Sequence, residues 1–210
     1  MTEERYTSGE ITPATESTPQ TERPASTLLG LISEVFKTVL FAVLLYLAIS
    51  ALTDRVRVEN ISMQPTLNEG ELLVVYKLAY RFGEPHRGDI IVFHHNRQPP
   101  EDYIKRVIGL PGDHVRVEGG VVYVNGIPLA EPYIAEPPTY TGEWVVPPDS
   151  LFVLGDNRNR SSDSRIWGFV PMSDVVGRAV LIYWPPDKIR LLSHTDLLAQ
   201  AAAPSGGGSR

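Results

Sequence analysis

From Leu28 the chain reads LLGLISEVFKTVLFAVLLYLAISALT, and between Val35 and Leu52 Lys37 is the one charged residue. At a rise of about 1.5 Å per residue this run covers roughly 27 Å, close to the hydrocarbon thickness of a bilayer. Lys37 lies near one end, where its amine can snorkel to the interface. A buried core helix or a cleaved secretory signal are the alternatives. A cleaved signal starts near the N-terminus behind a basic stretch. This run instead follows an acidic tail and lacks a convincing small-x-small site before the next segment. The pattern predicts a retained transmembrane helix over residues 28–53, crossing a lipid bilayer once. Before it, Glu3, Glu4, Glu10, Glu16 and Glu22 outnumber Arg5 and Arg23, while Arg55 and Arg57 follow it. The positive-inside rule thus lends no support to an inside N-terminus and leans the other way.

Residues 1–27 are rich in Thr, Glu, Ser and Pro and poor in large apolar side chains. They bury too little surface to offset their ordering entropy, so a disordered tail is expected. Over the whole chain of 210 residues, 42% are hydrophobic, enough for a core. The net charge of −6, without any basic block, argues against nucleic acid as a partner. Cysteine is absent, which removes disulfides, thiolate metal sites and cysteine nucleophiles together.

After Asp54 short apolar runs alternate with turn signals. Strands are expected at Arg55–Val58, Leu72–Lys77, Asp89–His94, Tyr103–Ile108, His114–Val117, Val121–Val124, Leu151–Leu154 and Gly177–Trp184. Breaks fall at Asn68-Glu69-Gly70, Pro111-Gly112-Asp113, Gly119-Gly120 and Asn125-Gly126, the Gly119-Gly120 pair closing a hairpin. Strands without alternating helices predict a mainly β fold, an antiparallel sheet or barrel-like domain over residues 54–186. The stretch Pro128–Pro148 reads as an excursion from that sheet, a smaller lobe over about 113–150. Residues 187–201 are expected to form a short helix within a C-terminal tail, 187–210.

Four segments stand apart from ordinary strand-and-turn sequence: SMQPTL from Ser62, RGDIIVF from Arg87, YIKRVIGLPGD from Tyr103, and GDNRNRSSDSRIWGFVP from Gly155. Singly, each has a bland explanation. Lys105, however, sits beside Arg106 among Tyr103, Ile104, Val107 and Ile108, so a central strand there buries one of two cations. Lysine is the better candidate, because a desolvated amine gives up its proton whereas a guanidinium stays charged. A neutral amine is a competent base for a serine hydroxyl. His94 and His95 end a different strand.

Together, in this order behind one membrane span, the four segments resemble the boxes of the bacterial type I signal peptidases over roughly residues 28–185. The resemblance implies a membrane-bound serine endopeptidase that cuts signal peptides from exported preproteins. Ser62 would be the nucleophile and Lys105 its general base, a Ser/Lys dyad in place of Ser-His-Asp. Ser161 matches the serine that positions the lysine amine, and Gly155 a glycine beside it. Arg106 with Asp156, and Asp163 with Arg165, match supporting ion pairs. Many relatives carry a serine two residues before the nucleophile. Here Asn60 stands there, and its amide is expected to serve the oxyanion or merely to cap a turn. Val58, Leu67, Tyr103 and Ile104 match the walls of shallow substrate-binding pockets that favour Ala-x-Ala sites. No metal or cofactor is implied. The resemblance also implies a single-pass protein of the cell membrane with its catalytic domain on the outer face. Competing readings are a self-cleaving repressor, a plasmid-transfer peptidase of the same clan, or an inactive membrane-anchored peptide-binding domain.

Overall fold

A computed structural model of the chain describes residues 24–95, 101–192 and Leu197. The chain divides into two compact units, 1–46 and 47–210. Helix α1 runs Pro24–Leu52. It starts four residues before the expected Leu28, on a proline whose fixed φ suits a first turn and whose missing N–H costs nothing there. Leu29–Leu52 is long and apolar enough to cross a membrane, and its residues are exposed. Glu34 and Lys37 pair across one turn at 2.9 Å. The expected tail before Pro24 lies outside the described residues.

The strands, in chain order, are β1 Thr53–Arg57, β2 Leu72–Tyr76, β3 Ile90–His95, β4 Glu101–Gly109, β5 His114–Glu118, β6 Val121–Val124, β7 Ile127–Pro128, β8 Gly142–Val145, β9 Ser150–Leu154, β10 Val170–Pro171, β11 Val175–Trp184 and β12 Arg190–Leu191. One antiparallel sheet has the order β1-β2-β11-β3-β4-β9-β10, with β12 added on β11. A second has the order β7-β6-β5-β8. The fold is mainly antiparallel β. All eight strands expected from the sequence are present, and β7, β8, β10 and β12 are short additions that its periodicity did not mark. Of the helix expected over 187–201, residues 187–192 belong to a 3-10 turn at Pro186–Lys188 and to β12, Leu197 is helical, and the rest lies outside the described residues. Pro185 and Pro186 withhold backbone donors, and Leu191 pairs with Leu181 instead of continuing a helix.

Strand alternation divides the core. Ile91, Phe93, Val107, Leu151 and Val153 form one cluster, while Ile108, Val115, Val124, Phe152 and Leu154 form another beneath the small sheet. A third cluster, Val58, Met63, Leu67, Leu73, Ile90, Ala179 and Ile182, lies under the loop between β1 and β2. That loop is closed at its base, where Val58 N–H donates to Glu71 O at 2.9 Å and Gly70 N–H to Val58 O at 2.8 Å. Burying Met63 and Leu67 contributes roughly 2 kcal/mol each, which holds the loop to the sheet.

Candidate active site

Ser62 stands on this pinned loop, 7% exposed, one residue before the Met63 anchor. Lys105 lies in the middle of β4, opposite Ile91 of β3. The sequence led us to expect one buried cation of the Lys105–Arg106 pair, but both are buried, at 2% and 3% exposure. Alternation sends them to opposite faces, and their fates differ. Arg106 is neutralised by a two-pronged pair with Asp156 at 2.8 and 2.6 Å and donates also to Gly88 O. Among the described residues the Lys105 amine meets no carboxylate. Its Nζ lies 2.8 Å from Ser62 Oγ and donates to Ile104 O at 2.9 Å.

Burial therefore pulls the Lys105 amine down from 10.5 to about 8. Asp163 and Asp156 act in the opposite direction. Each is already engaged by an arginine, Asp163 by Arg165 at 2.6 and 2.9 Å, so desolvation wins.

The loop 155–165 closes the site from the side. Asn157 N–H donates to Ser62 O at 3.0 Å and its side-chain amide to Ile61 O at 3.1 Å. Gly155 N–H donates to Asp163 Oδ2 at 3.1 Å. A Cβ on Gly155 would stand 2.2 Å from Ser161 Oγ and 2.5 Å from Ser62 O. The crowding thus falls on the two serines rather than on the amine.

Two expectations need correction, and one open choice is resolved. Leu67 is 0% exposed and belongs to the core beneath the loop, because Leu67 N–H bonds Met63 O and turns the side chain inward. Met63 lines the groove instead. Of the two roles open to Asn60, the oxyanion donor and the turn cap, the structure has the cap: Oδ1 accepts from Ser62 N–H at 3.2 Å and from the Ser62 hydroxyl at 2.7 Å. Ser161 Oγ is buried without a hydrogen bond among the described residues, since the amine has reached back to the carbonyl of its own strand.

A cavity of 610 Å³ opens on one side of Ser62, lined among others by Val58, Asn60, Met63, Tyr103 and Ile104. Strand β9 pairs with β4 only from Arg106 onward. The Glu101–Lys105 stretch therefore has one edge without a strand partner among the described residues, beside the groove. His94 and Asp102, 2.7 Å apart, stand at its rim, away from the amine.

Several residues that hold the site were not singled out from the sequence. Arg158 is fully buried and pairs with Glu131 at 2.7 and 2.5 Å. The Tyr133 ring lies 3.9 Å beneath the Arg106 guanidinium, and Tyr140 lies 3.8 Å from that of Arg165. The Pro-rich excursion thus braces the catalytic loop through charge and ring contacts, which have no sequence period. Among the described residues no cluster of His, Asp and Glu has the arrangement of a metal site.

The family model described as "Signal peptidase, peptidase S26" matches residues 32–184. The chain is 47% identical over 167 residues to signal peptidase I of Leptolyngbya laminosa, covering 75% of this chain and 82% of that protein. It is 45% identical over 167 residues to probable signal peptidase I-2 of Synechocystis sp., covering 76% and 77%. Over 143 residues it is 46% identical to signal peptidase I of Bacillus caldolyticus, covering 61% and 78%. With a family model matching residues 32–184 and relatives at 45–47% identity, the chain belongs to the type I signal peptidases of peptidase family S26, which are serine endopeptidases.

Proposed function

We propose that this chain removes signal peptides from exported preproteins, using Ser62 as nucleophile and Lys105 as general base. The observation that carries the reading is the 2.8 Å contact between two buried side chains, one a lysine amine lowered to about 8. In the resting state the Ser62 hydroxyl donates to Asn60 Oδ1. A rotation about one bond turns that proton onto the neutral Nζ, and the freed oxygen attacks the scissile carbonyl.

The arriving carbonyl displaces Asn60 Oδ1 from the Ser62 N–H, which then donates to the oxyanion. A donor of this kind contributes about 3 kcal/mol in comparable sites. The Lys105 ammonium next protonates the leaving amine. Neutral again, it activates a water that hydrolyses the acyl-enzyme.

The extended leader adds along the unpaired edge of Glu101–Lys105. Val58, Met63, Tyr103 and Ile104 give the groove apolar walls, against which the small side chains of Ala-x-Ala sites are expected to pack. The apolar helix Leu29–Leu52 anchors the protein in the membrane, with the catalytic unit on the outer face where signal peptides emerge.

The test is a pH–rate profile on a preprotein. The base must be neutral, so kcat/KM will climb through pH 8, about tenfold from pH 7 to pH 9, and then level. A rate already flat from pH 6, or one governed by a group lost with His94, rejects the dyad. Substrate choice has its own check. Replacing the alanine before the cut by phenylalanine will lower kcat/KM by about a hundredfold. Equal cleavage of both rejects the pocket assignment.

A further inference from the structure

Four arginines surround the dyad, and three have their charge cancelled: Arg106 by Asp156, Arg158 by Glu131 and Arg165 by Asp163. The fourth, Arg160, is exposed, and its guanidinium has no partner among the described residues. Its backbone is nevertheless fixed. Arg160 N–H donates to Asn157 O at 3.0 Å, and Asn157 N–H donates to Ser62 O at 3.0 Å, so two bonds tie it to the nucleophile. The buried Arg158–Glu131 pair locks the same 3-10 turn. A rigid base carrying an uncancelled cation suits a group that waits for an anion brought by a ligand.

The cavities show which part of the substrate that is. The catalytic cavity, 230 Å³, is lined by Ser62, Lys105, Asn60, Glu101, Tyr103 and Arg160 among others. It shares Asn60, Glu101 and Tyr103 with the leader groove. On its other side it shares Arg160 with a cavity of 380 Å³ that also touches Gln64, Glu136, Asn157 and Arg158. The three cavities thus follow one another past Ser62, with Arg160 at the joint beyond the nucleophile. If the leader fills the first, the mature chain leaves through the third. Four exposed acids line these cavities without an ion pair to Arg160: Glu59 and Asp102 on the leader side, Glu101 in both the leader groove and the catalytic cavity, and Glu136 in the outer cavity.

We infer that Arg160 is a specificity-determining residue for the leaving side, favouring an acidic side chain in the first few residues after the cut and disfavouring a basic one. This rests on the signal peptidase reading above. An exposed pair of this kind changes kcat/KM by about two- to fivefold per charge, and salt weakens it.

The experiment uses the full chain in detergent micelles with preproteins that differ only at the second residue after the cut, Asp or Lys. The readout is the ratio of the two kcat/KM values, with the cleaved bond identified by mass spectrometry. The wild type will prefer Asp, R160Q will lose most of the preference, and R160E will prefer Lys, a swing in the ratio of about tenfold. Because a ratio is read, a general loss of activity in a variant does not obscure it. An equal ratio in wild type, R160Q and R160E, with cleavage at the expected bond, overturns the inference and leaves the signal peptidase reading intact. Failure of the wild type to cut any preprotein, or cutting at another bond, overturns that reading and the inference with it.

Discussion

Lys105→Met will abolish preprotein cleavage and, at neutral pH, yield a protein that unfolds at a higher temperature than the wild type. The first half follows from the base: without an amine at 2.8 Å, nothing takes the Ser62 proton, and losses in comparable machineries reach about four orders of magnitude or more. Ser62→Ala will match that loss.

The second half follows from linkage. The lysine is lowered from 10.5 to about 8 in the fold, so below pH 8 both states hold the proton and the folded state carries the full penalty of a buried ammonium. Between about pH 8 and 10.5 the unfolded chain binds more protons, and stability rises with pH. The penalty is on the order of 3 kcal/mol, since each unit is worth about 1.4 kcal/mol. Methionine fills a similar volume without charge. Near pH 7 the variant will melt several degrees higher, at roughly 2–4 °C per kcal/mol for a chain of this size, and the difference will shrink above pH 10. Ser62→Ala, which removes no buried charge, will show no such pH-dependent gain. A Lys105→Met protein that melts lower at pH 7, or one that retains a hundredth of the activity, contradicts the assignment.

The same residue shows what the sequence could reveal. An amine between Ile104 and Val107 on a strand has to be desolvated, and period-2 alternation with Gly and Pro breaks makes such strands readable. Partners across the fold are another matter. Glu131 and Tyr133 lie in the Pro-rich stretch before β8, far along the chain from Arg158 and Arg106, and one ion pair or one ring contact leaves no periodic trace. Met63 and Leu67 look alike as apolar residues of the SMQPTL segment. Both join the core beneath the loop, and only the folded geometry shows that Met63 also lines the groove while Leu67 does not. Asn60 as a turn cap is legible from its residue type, and Ser62 N–H together with the Ser62 hydroxyl selects that role over an oxyanion donor. Composition and period thus give strands and the desolvated cation. Loop-borne contacts between distant segments come from geometry alone.

Gly155→Ala will cripple catalysis through crowding, with no chemical group removed. The added methyl would lie 2.2 Å from Ser161 Oγ, 2.5 Å from Ser161 Cβ and 2.5 Å from Ser62 O, all inside van der Waals contact. Residue 155 has no freedom to retreat, because its N–H is held by Asp163 Oδ2 and its carbonyl accepts from Arg158 Nε at 3.1 Å. The serines must give way instead. Ser62 O is backbone and is already bonded to Asn157 N–H, so moving it shifts the nucleophile off its 2.8 Å contact with Lys105. A displacement near 1 Å costs on the order of a hundredfold in rate, and overpacking costs about 1–3 kcal/mol in stability. The expected result is a fall of about a hundredfold in kcat with KM little changed, measured on a preprotein, and a lower melting temperature. Adding Ser161→Gly removes two of the three close contacts but leaves the one to Ser62 O. The double variant will therefore recover most of the lost stability and only part of the rate. Near wild-type kcat in Gly155→Ala, or full recovery of rate in the double variant, would show that Ser62 is not held against this backbone as described.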